Sequence, residues 1–182
     1  MKSTRIVRPR RVIAFDVRSR KFGYAVFEGP KRLLDFGLVG FTTPRTAKQR
    51  LQSLLRHFQP HTIALCRTQN FRRNRARTRP LVSAVHRAAR SAGIPVASIS
   101  DISLRKVFAT WEVRNKDQRA SLLAGFYPHL RPKLPPRRRT WQHEHWSMPV
   151  FDAVAVGIAY LEASGAHIDT LVKCARPRSD ST

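Results

Sequence analysis

Three short apolar runs follow one another near the start of the chain: RVIAFDV (11–17), GYAVFEG (23–29) and RLLDFGLVGF (32–41). The links between them are a few residues long, and Gly29-Pro30-Lys31 is a turn signal. A crossover to a parallel neighbour needs about a dozen residues or more. Three strands so joined form an antiparallel meander, and the rest of the chain has to be built onto that sheet.

The later pattern alternates. Ala47, Leu51, Leu54, Leu55 and Phe58 recur at helical spacing within 45–58, HTIALC (61–66) reads as a fourth strand, and Leu81, Val85, Ala88 and Ala92 mark a helix over 80–92 that stops at Gly93. IPVASIS (94–100) is a fifth strand. A short helix over Leu104–Phe108 is predicted, capped by Asp101 or Ser103, and another over 115–126 with Asn115 as N-cap. YPHLRPKLPPRRR (127–139) reads as a basic proline-rich loop. SMPVFDAVAVGIAYLEA (147–163) is the last helix, with Ser147 as N-cap, Pro149 in the tolerated first turn, and Val150, Val154, Ile158 and Leu161 as its buried stripe. Strands first, then strand and helix in alternation, predict an α/β fold: a mixed five-stranded sheet with helices on both faces. Residues 1–10 read as a basic arm, 11–165 as one domain and 166–182 as a tail.

The charge is the second constraint. Thirty-five Lys and Arg against eleven Asp and Glu give a formal +24. Such an excess repels itself unless a polyanion neutralises it, and nucleic acid is the expected partner. No apolar run reaches the roughly 18 residues of a membrane span, and MKSTRIVRPRR lacks the apolar core of a secretory signal. Two cysteines, Cys66 and Cys174, make no disulfide framework, so a reduced, cytoplasmic protein is expected.

Three segments carry a family likeness. AFDVRSRKFGYAVFEG, with Asp16 ending the first strand and Gly23-Tyr24 beginning the second, resembles the opening of the RuvC-like Holliday junction resolvases of the ribonuclease H-like superfamily. RAARSAGIPVASISDISLRKVF (87–108) resembles that family's helix, strand and short helix, and FDAVAVGIAYLEA its last helix, with Asp152-Ala153 in place. The likeness covers about residues 11–163. It implies a ribonuclease H-like fold and a structure-selective nuclease of DNA recombination and repair that cuts branched DNA. Its cofactor would be Mg²⁺, with Mn²⁺ as the alternative. Two such ions need several oxygen ligands, one activating water and the other stabilising the leaving oxygen.

Carried over residue by residue, the likeness is incomplete. Asp16 and Asp152 match metal ligands. Aligning Pro60 with the proline that often precedes the fourth strand puts Cys66 where the family has Glu, and Pro149 stands where it often has Asp or His. A neutral thiol is a poor Mg²⁺ ligand. Glu144 in WQHEHW (141–146), flanked by His143 and His145, is the substitute catalytic and metal-ligating candidate, with His145 as a further possible ligand. The alternating His-Glu-His lacks the i, i+4 spacing of a zinc helix motif.

Around these lie the candidate phosphate contacts: Arg18, Arg20, Lys21 and Arg67, then Arg72, Arg73, Arg75, Arg77 and Arg79 of FRRNRARTR, and Arg137, Arg138 and Arg139. Arginine grips phosphate through a bidentate fork. Phe71, Trp141 and Trp146 lie beside the basic runs as candidates for stacking on unpaired bases. Two alternatives remain open: a catalytically silent nucleic-acid-binding member, favoured by Cys66-Arg67, and a YqgF-type RNA-processing nuclease. RuvC-like resolvases act as dimers because a junction needs two symmetric cuts, so the resemblance allows a homodimer here.

Overall fold

The computed structural model describes residues 10–67, 72–136 and 144–166, with backbone alone for residues 67 and 72–77. The meander is β1 (Arg11–Val17), β2 (Lys21–Glu28) and β3 (Leu33–Gly40), antiparallel throughout. Helix α1 (Pro44–Phe58) returns the chain so that β4 (Thr62–Arg67) pairs parallel to β1. Helix α2 (Arg72–Ser91) does the same for β5 (Val96–Ser100) beside β4, giving the order β3-β2-β1-β4-β5. Then come α3 (Asp101–Ala109), α4 (Lys116–Phe126), a 3-10 turn (Pro128–Lys133) and α5 (Met148–Ala163). The fold is α/β with a mixed five-stranded sheet, as the sequence predicts.

Side chains alternate across a strand, and β1 shows how this splits the core. Ile13 and Phe15 pack with α1 and α2, whereas Val12 and Ala14 face α5. Asp16 shares the parity of Val12 and Ala14, so it too faces α5. Two glycines let that helix come close. A Cβ on Gly23 would lie 1.9 Å from the Pro149 carbonyl oxygen, and one on Gly157 would lie 2.2 Å from the Phe27 ring. The first turn of α5 is thereby seated on β2 at the residue that pairs with Asp16.

Several expectations are corrected. Helix α2 begins at Arg72 rather than near residue 80, two turns earlier than the apolar spacing marks, and Pro80 lies inside it. Ala92 falls beyond α2 and is exposed, the chain turning at Gly93 (φ 65°). Ser100, rather than Asp101 or Ser103, caps α3, its hydroxyl accepting from the Ser103 amide at 3.0 Å. Part of the proline-rich loop forms the 3-10 turn, with Leu130 buried. Helix α5 has no single buried stripe, since every residue from Met148 to Ala159 is buried, as in a helix enclosed on all sides. Asn115 caps α4 as predicted, accepting from the Gln118 amide at 2.8 Å. Among the described residues no helix is long and apolar enough to cross a membrane.

Candidate active site

The carboxyl end of β1 and the first turns of α5 bring Asp16 and Asp152 to one place, both buried. Their meeting follows from the strand parity and from the close seat at Gly23. Glu144 arrives from the segment before α5. There Ser147, fully buried, bonds the Lys133 carbonyl at 2.8 Å and lies 2.7 Å from His145 Nδ1, which ties the segment to the 3-10 turn. His145 is thus engaged with Ser147, not with the carboxylates. Glu144 reaches the same cations as Asp16 and Asp152, Arg18 and Lys116.

The carboxylates meet around cations. Arg18, just past β1, sends Nε to Asp16 Oδ2 at 2.6 Å, one terminal nitrogen to Asp152 Oδ2 at 2.7 Å and the other to Glu144 Oε2 at 3.1 Å. Lys116 Nζ lies 2.5 Å from Glu144 Oε1 and 3.0 Å from Asp152 Oδ2. Arg119 reaches Asp152 Oδ1 at 2.5 Å, with its guanidinium 5.7 Å from the Phe108 ring centroid. Three carboxylates thus face three cations. Arg18, expected to hold phosphate, spans all three acids instead. Lys116 and Arg119 were missed in the sequence. Their signal was the i, i+3 spacing that puts two cations on one face of α4, directly after a capping Asn.

Burial and charge pull the two aspartates apart. Asp16 is raised to about 6, first by burial and then by Asp152, against the attraction of Arg18 and Lys116. Burial would also raise Asp152, but Lys116, Arg119 and Arg18 outweigh it and hold its carboxyl below the ordinary range. Lys116 and Arg18 are shifted upward, burial being overcome by the acids they touch.

Cys66 follows Ala64 on the α5 face of β4, beside Asp16, and its thiol lies 3.8 Å from Asp101 Oδ1. Burial, followed by the charges of Asp16, Asp101 and Asp152, pushes the thiol up to about 12, so it is neutral at physiological pH. A protonated thiol offers no strong donor to a hard cation. Pro149 offers none, and its carbonyl packs against Gly23. Among the described residues, no cluster of three or more His, Cys, Asp or Glu is arranged to hold a metal. The magnesium pair implied by the family likeness therefore does not fit this donor set as it stands.

Trp146 is 52% exposed, with Lys133 Nζ 5.3 Å from its ring centroid. Arg20 and Arg79 are exposed, and Lys21 bonds the Trp146 carbonyl at 3.5 Å. Phe71, Trp141, His143, Arg137, Arg138 and Arg139 lie outside the described residues, as do 1–9 and 167–182. So do the side chains of Arg67, Arg72, Arg73, Arg75 and Arg77.

The Thermus thermophilus RuvC structure is similar with a TM-score of 0.66 and 20% identity, over 86% of this chain and 97% of that one. T. thermophilus RuvC in complex with a Holliday junction substrate gives 0.64 at 20% identity, over 85% and 96%. A Fowlpox virus resolvase in complex with Holliday junction DNA gives 0.54 at 8% identity, over 85% and 98%. The fold is that of a RuvC-like resolvase. No protein-family model and no curated protein matches the sequence. At these identities the likeness is one of fold. The RuvC-like fold accounts for why residues as distant as Asp16 and Asp152 share one site.

Proposed function

We propose that this chain binds branched DNA with the end of the sheet where Asp16, Asp152 and Glu144 meet, and that it does so without cutting. Junction DNA is the substrate in two of the similar complexes, which supports that choice of ligand. The observation that carries the silent reading is Asp152, whose two carboxylate oxygens are already taken by Arg119, Arg18 and Lys116. Cations of the chain neutralise the acids here, and binding needs no metal. Trp146 offers a stacking surface beside the site, and the unpaired arginines offer phosphate contacts. Engagement of the junction as a homodimer belongs to the same proposal.

A second reading, Mg²⁺- or Mn²⁺-dependent hydrolysis, is favoured by one specific fact. Three carboxylates from three separate segments converge on a single guanidinium.

The test is titration of a labelled four-way junction, a linear duplex and a structured ribosomal RNA precursor, in EDTA and in Mg²⁺. Tight, salt-sensitive junction binding that ignores the metal, with intact product strands, is the expected result. Cleavage in Mg²⁺ that disappears in Asp16→Asn would establish the nuclease. Preference for the RNA would move the protein to RNA processing.

A further inference from the structure

The turn that carries Arg18 into the carboxylate cluster carries Arg20 elsewhere. Arg18 donates its amide to the Lys21 carbonyl at 2.9 Å, and the Phe41 amide bonds the Arg20 carbonyl at 3.0 Å. The second bond ties the β1–β2 turn to the chain leaving β3. Beside it is an open cleft lined by Arg20, Phe41, Thr42, Thr46, Gln49, Arg50 and Ser53, with Gly40 at its edge. Thr46, Gln49, Arg50 and Ser53 follow the i, i+3, i+4, i+7 stripe of one face of α1, while Ala47, Leu51 and Leu55 on its other face enter the core.

Two features give this cleft a ligand class. Arg20 and Arg50 come from different elements, line the same cavity, and make no ion pair among the described residues. None of the residues that line the cleft is acidic. Between residues 36 and 100 the sequence has no Asp or Glu but twelve Lys and Arg. In the carboxylate cluster every cation has an acidic partner. Here the two guanidinium groups have no partner among the described residues, and the hydroxyls of Thr42 and Ser53 and the amide of Gln49 line the same cleft. An oxyanion accepts from guanidinium and hydroxyl donors alike, and is the ligand class such a lining suits.

We propose that this cleft is a phosphate-binding subsite, and that it grips a backbone phosphate of one duplex arm while the carboxylate end faces the branch. The inference rests on the proposed binding of branched DNA. The cleft lies at the sheet end where β1 and β3 finish, the end that holds Asp16, and it is one short turn away. A strand running along this end passes both places.

The experiment compares the full chain with Arg20→Ala/Arg50→Ala and with Arg56→Ala, by fluorescence anisotropy on a labelled four-way junction over a range of salt. Arg56 is an exposed cation on the last turn of the same helix, outside the cleft. The double variant is expected to bind at least tenfold more weakly. Its plot of log affinity against log salt should flatten by about one unit, one phosphate contact being lost. Arg56→Ala should stay within twofold of wild type. A double variant that binds like wild type overturns the subsite while leaving junction binding intact. An equal loss in Arg56→Ala overturns it too, since net charge alone would then matter. A wild-type chain that binds no junction overturns the binding proposal and the subsite with it.

Discussion

Over one face of the sheet, α1 displays Arg45, Lys48, Arg50 and Arg56 to solvent, and none of them takes part in an ion pair among the described residues. Over the other face, Lys116 and Arg119 of α4 turn inward with Arg18 onto buried carboxylates. The residue types are the same and the physical states are opposite. A cation already neutralised by its own protein displaces no counterion when a phosphate arrives, whereas an unpaired one does. Affinity for a polyanion should therefore come from unpaired cations that its path reaches, Arg20 and Arg50 of the cleft first among them. The paired face should contribute rigidity and the shape of the site.

The sharpest way to break that contrast is to remove one cation from each side and measure stability. Arg119 is largely enclosed, and its loss strips Asp152 Oδ1 of its partner. Breaking a buried pair from one side costs about 3 kcal/mol or more. Arg119→Ala should therefore lower the urea midpoint substantially, with Lys116 and Arg18 limiting the loss. Arg50→Ala, exposed and unpaired, should shift stability by no more than about 0.5 kcal/mol. Equal midpoints for the two variants would mean that the cluster is as solvated as the surface, and the contrast would collapse.

The fold was more legible than the site. Three closely spaced apolar runs allow few arrangements other than a meander, and the strand parity that places Asp16 opposite α5 is written in RVIAFDV. Glycine's role was legible only as a motif. The physical reason for Gly23, the Pro149 carbonyl against it, needs the third dimension. The pairing of the cations needs the third dimension too. Arginines look alike in a sequence that has so many, and periodicity cannot tell which will find an acid. Nothing local to Arg18, Lys116 or Arg119 marks them as partners of Asp152, which lies more than thirty residues further along the chain from each. The first two turns of α2 are not legible for a different reason: residues 72–79 carry no apolar periodicity, and Leu81 is the first buried apolar position among the described side chains of the helix.

A substitution that changes the balance of the paired face sharpens the contrast further. Three acids against three cations leave no net charge to attract a divalent ion. Cys66→Glu would add a fourth carboxylate beside Asp16. In the wild type, Mg²⁺ should leave the melting temperature unchanged. In the variant it should raise it, by about 1.4 kcal/mol of stability at roughly ten times the dissociation constant. Differential scanning fluorimetry in EDTA and in Mg²⁺ reads this directly. A wild-type chain that Mg²⁺ already stabilises would show that Arg18 and Lys116 yield to metal, and would return the hydrolytic reading to first place.

The smallest effect separates two residues within the cluster. Asp16 titrates near 6 in the folded protein, above the ordinary 3.8. The native state therefore holds that proton more tightly than the unfolded chain does. The stability this contributes is complete below about pH 4 and is lost as pH rises through 6. Asp152 is lowered below 3.8, so it contributes above that value and loses its contribution as pH falls through the lower one. The asparagine variants should consequently diverge. Melted in EDTA across this range, Asp16→Asn should gain on wild type between pH 4 and 6 and keep that advantage at pH 7. Asp152→Asn should trail wild type by a constant margin over the same interval and converge with it only below pH 4, as Asp152 of the wild type takes up its proton. Parallel curves would mean that the three cations serve both carboxylates equally. The unequal sharing seen here, with one cation on Asp16 and three on Asp152, would then have no energetic consequence.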